Sequence, residues 1–401
     1  GWVDDARLAL HDAAMSRSFP GWLAGAMAGL VGASVAAWLA HRYAPDAPQV
    51  VAAESPGASQ GPTSVLSTKT VNLAGTGLAV GAGLALGPER PAIQMGGAIG
   101  RLVSRHGGLR RSDYELMLAA TGSAGVATMF NSPLGCAAYA VETIVKRVNL
   151  RTSLTVLGAG AVAVGVSRLF TGHVVNFSVG QLAAYQFWHL WLYLLLGCLI
   201  AVLGNLHART IMLVVGLCQL PPLPSAVRGG LIGAVVGLLA WYSPGLVGSG
   251  DALIQGVIDG RFALWTLTLM LLVRFFLGPL SLAAGTPGGY FTPVLLLGAL
   301  SGATYGALMG IMLPAADMPP PAHFALVGMA VALATIARAP FTGILLAMET
   351  TGAFIMALPM VVAVFGAVAV IQLLHTPSLS HGLEAVGERL RELRERPDER
   401  G

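Results

Sequence analysis

The sequence predicts an all-α integral membrane protein with an internal repeat, its helices broken and tilted rather than uniformly straight. Three observations carry that prediction. Of 401 residues, 55% are hydrophobic and only 10% charged, against about 25% charged in a soluble domain, so a globular surface of this size could not be solvated. Long apolar runs recur at residues 22–40, 190–203, 231–241, 264–273, 293–313 and 343–374, where roughly 20 residues cross a bilayer. An ordered set of Gly, Pro and Glu positions also occurs twice along the chain. Mean hydropathy, +0.72, agrees.

Taken in order, residues 1–17 are polar and amphipathic, with no cleavable signal evident, and predict a cytoplasmic helix before the first span. The run at 22–40 is the first span, and 41–68 reads as a loop. Arg101, Arg105, Arg110 and Arg111, then Lys146, Arg147 and Arg151, cluster in short loops and mark cytoplasmic edges. Positive charge placed there leaves no basic face for nucleic acid. Some later runs are short for a span, and 343–374 is long enough for two. Such irregularity suits re-entrant helices, whose broken backbone must be buried in protein or line a cavity. Trp188 and Trp191 read as membrane-interface anchors. Residues 315–322 form a further loop. The tail at 382–401 mixes Glu388, Arg389, Arg391, Glu392, Arg394 and Glu395 at helical spacing. It is too short for a separate domain. The expected organisation is a cytoplasmic helix at 1–20, membrane halves at 21–180 and 181–376, and a charged cytoplasmic tail at 377–401.

Several chemistries lack support. Cys136, Cys198 and Cys218 sit in apolar surroundings without metal-ligand spacing, and the nine histidines show no paired ligand pattern. Gly248-Ser249-Gly250 has no His or Asp partner at usable spacing, so a membrane-embedded hydrolase finds no catalytic set. Neither a metal nor an organic cofactor is expected. The 52 glycines favour close helix packing in lipid.

The repeat is the most informative feature. Gly87, Pro91, Gly96 and Gly100 match Gly289, Pro293, Gly298 and Gly302 at an offset of 202 residues. Pro133 and Glu142 match Pro340 and Glu349 at an offset of 207, with Glu nine residues after Pro in each. Gly/Pro-interrupted apolar segments at matching places in two halves point to a transporter whose site lies where the halves meet. Gly-x-x-x-Pro before an apolar run is a helix start, with Pro suited to the first turn. Two such starts converging inside the membrane aim free N–H groups and positive dipole ends at one place. They make an anion site that needs no buried Lys or Arg. Glu89 lies within the first start, and a carboxylate at membrane depth marks a functional site by default. It would be held by the N–H groups that bind the anion, compete with it, and leave on protonation.

These blocks resemble those of the CLC family of chloride channels and chloride/proton exchangers. Gly87-Pro88-Glu89-Arg90-Pro91 is similar to the family's GxEGP. Gly289-Tyr290-Phe291-Thr292-Pro293, after Gly285-Thr286-Pro287-Gly288, is similar to GxFxP. The stretch from Arg338-Ala339-Pro340 to Glu349 is similar to RAPxTGIxLxxE, and Asn131-Ser132-Pro133 and Gly248-Ser249-Gly250-Asp251 fall in family order. The likeness runs from about residue 24 to 379. It implies two inverted halves in a multi-pass protein of a bacterial-type inner membrane, and a homodimer with one pore per subunit. Glu89 would be the external gate, and the anion, chloride, would be held around Glu89, Arg90, Gly289, Tyr290 and Phe291. Protons are a possible second substrate.

The departures bear on mechanism. Residues 44–50 contain no serine where the family has GSGIP, Ser380 stands where the pore tyrosine is expected, and Thr143 follows Glu142 where many exchangers carry a proton-accepting glutamate. Glu142 and Thr143 are therefore the proton-path candidates, and Ser380 the inner anion contact. A cytoplasmic side without the tyrosine ring should be wider, its anion weakly held and its proton coupling poor. Arg90, where the family has Gly, would draw anions in if it reaches the outer vestibule. Passive conduction and fluoride export stay open beside chloride/proton exchange.

Overall fold

The computed structural model describes residues 20–43, 65–108, 110–146, 148–172, 175–180, 182, 185–221, 223–313, 318–374 and 379–395. The helix expected at 1–17 and the serine-free segment at 44–50 lie outside these residues.

Helix α1 (Gly21–Tyr43) is followed by five helices of the first half. They are α2 (Val65–Gly81), α3 (Glu89–His106), α4 (Arg111–Phe130), α5 (Pro133–Tyr139, continued by a π-turn at Ala140–Val145) and α6 (Leu150–Thr171). Then come α7 (Leu190–Gln219), α8 (Ser225–Tyr242) and α9 (Asp251–Ile258). After them come α10 (Leu264–Ala283), α11 (Phe291–Met312), α12 (Pro321–Ile336), α13 (Pro340–Thr351) and α14 (Ala357–Leu374). Helix α15 (Leu379–Glu395) lies along α7. Among the described residues, seven helices are long and apolar enough to cross a membrane.

The repeat read in the sequence is a repeat of structure. In the first half α3 packs on α4, and α4 on α5 and α6; in the second α11 packs on α12, and α12 on α13 and α14. Backbone strain repeats as well. Asn131 (φ 50°) and Arg338 (φ 58°) are left-handed one residue before Ser132 and Ala339, which precede the prolines of α5 and α13. A non-glycine residue rarely adopts that conformation, and its presence at equivalent places reflects one turn geometry used twice. Equivalent residues of the two halves also meet each other directly. Gly87 and Gly289 form an antiparallel bridge with each other, so the two equivalent loops run in opposite directions where they meet.

Glycine lets neighbouring helices touch. A Cβ on Gly298 of α11 would meet the Gly328 carbonyl of α12, and one on Gly328 would meet the Gly298 carbonyl. Helix α12 is buried from His323 to Ile336. At about 1.5 Å per residue its 16 residues fall short of the roughly 30 Å hydrocarbon core, which is tolerated because protein surrounds it.

Three expectations are corrected. The run at 190–203 is only half of α7, a helix of 30 residues. Asn205, His207 and Arg209 end the apolar stretch but not the helix, because His207 turns to a partner inside the protein. Residues 65–68 and 321–322, read as loop, are first turns of α2 and α12. The span at α6, flanked by Arg151 and Arg168 near its ends, is absent from the runs read in the sequence. The long run at 343–374 does divide into two helices, α13 and α14.

Candidate functional site

Two helix starts meet at the centre of the repeat. Helix α3 begins at Glu89 after Pro88, and α11 begins at Phe291 after Tyr290; neither has a side-chain cap of its own. Pro91 and Pro293 sit in the first turns, where no N–H is required of them. The starts are clamped together by the bridge: Gly87 N–H donates to the Gly289 carbonyl (2.9 Å) and Gly289 N–H to the Gly87 carbonyl (2.6 Å).

The Glu89 carboxylate lies at this junction and is fully buried. It accepts a hydrogen bond from Thr292 N–H (2.8 Å) and another from the Thr292 hydroxyl. Thr292 belongs to the first turn of α11, so a carboxylate from one half is held by the helix start of the other. Gly87 and Gly289 make the cradle, since a Cβ on either would collide with the carboxylate. No lysine or arginine supplies these bonds. The donors are a backbone N–H and a hydroxyl at the positive end of a helix, the arrangement that suits any small anion.

Beside the junction is a cavity of about 90 Å³ lined by Arg90, Tyr139, Gly289, Tyr290, Phe291 and Leu379, among others. Arg90, in the first turn of α3 next to the bridge, is 8% exposed and lines this cavity. Tyr139 meets Phe291 edge-on at 5.2 Å. The buried Arg274 of α10 donates to the carbonyls of Gly248 (2.9 Å) and Val247 (3.2 Å) and so fixes the turn before α9.

The other glutamates of the repeat form a reciprocal pair. Glu142 accepts from the N–H groups of Phe341 (2.9 Å) and Thr342 (2.8 Å) and from the Thr342 hydroxyl (2.6 Å), at the start of α13. Glu349, in α13, accepts from Gly135 N–H (2.8 Å) and the Ser132 hydroxyl (2.5 Å), at the start of α5. Each half caps a helix of the other. Thr143 stands partly buried in the π-turn after α5. Ser380 belongs to the first turn of α15, and its side chain lies outside the described residues; its neighbour Leu379 lines the cavity.

Sequence reasoning missed two participants. Thr292 occupies the variable place of the second Gly-x-x-x-Pro block, and a hydroxyl beside a helix-start proline was its only signal. His207 was an isolated histidine in an apolar helix, and its Nε2 lies 2.6 Å from the Tyr290 hydroxyl. Among the described residues no three His, Cys, Asp or Glu side chains gather to hold a metal.

A family model described as voltage gated chloride channel matches residues 32–372. The H(+)/Cl(-) exchange transporter ClcA of Vibrio parahaemolyticus is 35% identical over 366 residues, covering 88% of this chain and 78% of the relative. The ClcA of Cronobacter sakazakii is 33% identical, over 88% of this chain and 77% of its own. Among solved structures, a slow cyanobacterial Cl-/H+ antiporter superposes with a TM-score of 0.87 at 26% identity, covering 98% of this chain and 93% of that one. A CLC-type fluoride/proton antiporter superposes at 0.71, with 91% and 90% covered; at 19% identity it shares the fold alone.

Proposed function

This chain belongs to the CLC, or voltage gated chloride channel, family, and from that premise we propose that it exchanges chloride for protons across the inner membrane, with Glu89 linking the two. The observation that carries the proposal is the buried Glu89 carboxylate, held by the Thr292 N–H and hydroxyl at the start of α11. Ionised, it occupies the place where helix-end donors would hold an anion, and so blocks the path. Chloride entering the cavity competes for those donors and displaces it. Once displaced, the carboxylate can take a proton; neutral, it has little hold on the donors and leaves them to chloride. Loss of the proton to the other side restores the block. The cycle therefore alternates anion and proton at one site. Chloride is proposed over fluoride because the exchangers named for chloride are the relatives at 33–35% identity.

Glu89→Gln tests the gate. A neutral amide imitates the protonated carboxylate but cannot titrate. Wild-type chloride flux from liposomes should rise as pH falls, because protonation lifts the block. In the variant, flux should persist and be flat with pH. A variant that follows pH with the wild-type midpoint would remove Glu89 from this role.

Passive conduction is the second reading. It is favoured by Thr143, which cannot titrate where the family resemblance places an inner proton-accepting glutamate. In that reading Glu89 still gates, and no protons move against chloride.

A further inference from the structure

Two tyrosines line the cavity beside Glu89, one from each half: Tyr139 of α5 and Tyr290, the residue before α11. Tyr290 is fastened at both ends. Its backbone is fixed between Gly289 of the bridge and the first turn of α11. Its hydroxyl lies 2.6 Å from His207 Nε2 and seats against Gly278 of α10, where a Cβ would strike it. The His207 and Tyr290 rings lie nearly parallel, 10° apart with centroids at 5.9 Å. The imidazole, 1% exposed, meets Phe275 of α10 edge-on at 4.8 Å. Three helices thus hold one phenol ring. Tyr290 and Leu379, at the start of α15, both line the cavity and pack on the same apolar cluster.

We propose that the His207–Tyr290 pair is a fixed wall of the anion cavity, formed by the Tyr290 ring and held in place by His207. The hydroxyl is committed to the imidazole, so Tyr290 contributes a fixed ring, and its role at the anion is to confine it. His207 is a positioning residue: it touches no anion and acts by holding the ring. The proposal rests on the reading of this cavity as the anion path.

The test uses the full chain, purified, with chloride binding measured by calorimetry and flux measured in liposomes. His207→Ala and Tyr290→Phe each remove the bond while keeping the Tyr290 ring. A ring released from one buried hydrogen bond should confine the anion less, with chloride binding about fivefold weaker and maximal flux raised. His207→Gln, whose amide can still bond the hydroxyl, should recover most of the affinity. Affinity and flux unchanged in both His207→Ala and Tyr290→Phe would overturn the proposal. So would affinity and flux falling together without recovery in His207→Gln, which is the mark of a fold contact only. Wild-type protein that binds and conducts no chloride would instead overturn the reading of the cavity, and this proposal with it.

Discussion

Glu89 is held by backbone geometry and one hydroxyl, and this makes it displaceable. A buried lysine or arginine partner would hold the carboxylate as a permanent ion pair, whereas helix-end N–H groups serve a carboxylate and a chloride alike. The Thr292 hydroxyl tips that balance toward the carboxylate. A hydrogen bond to a charged group contributes about 1.5–3 kcal/mol, so Thr292→Val, which keeps the shape and loses the donor, should let chloride compete about tenfold better and raise flux near neutral pH. Chloride-concentration curves of flux would show it, and unaltered half-saturation would deny the hydroxyl this role. Glu89 was legible in the sequence because a carboxylate stands out inside an apolar, glycine-rich block. Thr292 was not, because its role appears only when residues 203 apart in sequence come together. The same holds for His207 and Tyr290, 83 apart.

At the scale of elements, the prolines and glycines were legible because each answers a local backbone demand. They placed the starts of α3 and α11 to within two residues. Hydropathy alone misjudged α7, where Asn205, the buried His207 and the exposed Arg209 interrupt the apolar run without ending the helix. The glutamates nine residues after each proline acquire their meaning only in the assembled repeat, as caps exchanged between halves. Each interacts with the positive end of a helix as well as with its N–H groups. Glu142→Gln and Glu349→Gln should therefore each lower stability, by about 1–2 kcal/mol, and by similar amounts. Thermal unfolding in detergent measures this, and a large loss from one with none from the other would break the equivalence.

At the scale of the whole molecule, the fold was legible because the repeat was written twice. What folding adds is a reciprocal relation that brings each half's helix starts to its partner's residues: Gly87 to Gly289, Glu142 to α13, Glu349 to α5. The site is thus a property of both halves, and neither half alone would bury Glu89. A homodimer with one site per subunit is proposed from family likeness, and the purified chain should migrate in mild detergent at twice its monomer mass; a monodisperse monomer would count against it. The central claim is that one carboxylate couples chloride to protons, and the most direct measurement imposes a chloride gradient on liposomes holding the protein and follows proton movement with a pH electrode. Wild-type protein should drive protons against their own gradient until the proton gradient balances the chloride gradient, and Glu89→Gln should pass chloride while driving none. Chloride flux in wild-type protein with no accompanying proton movement would contradict exchange and leave passive conduction in its place.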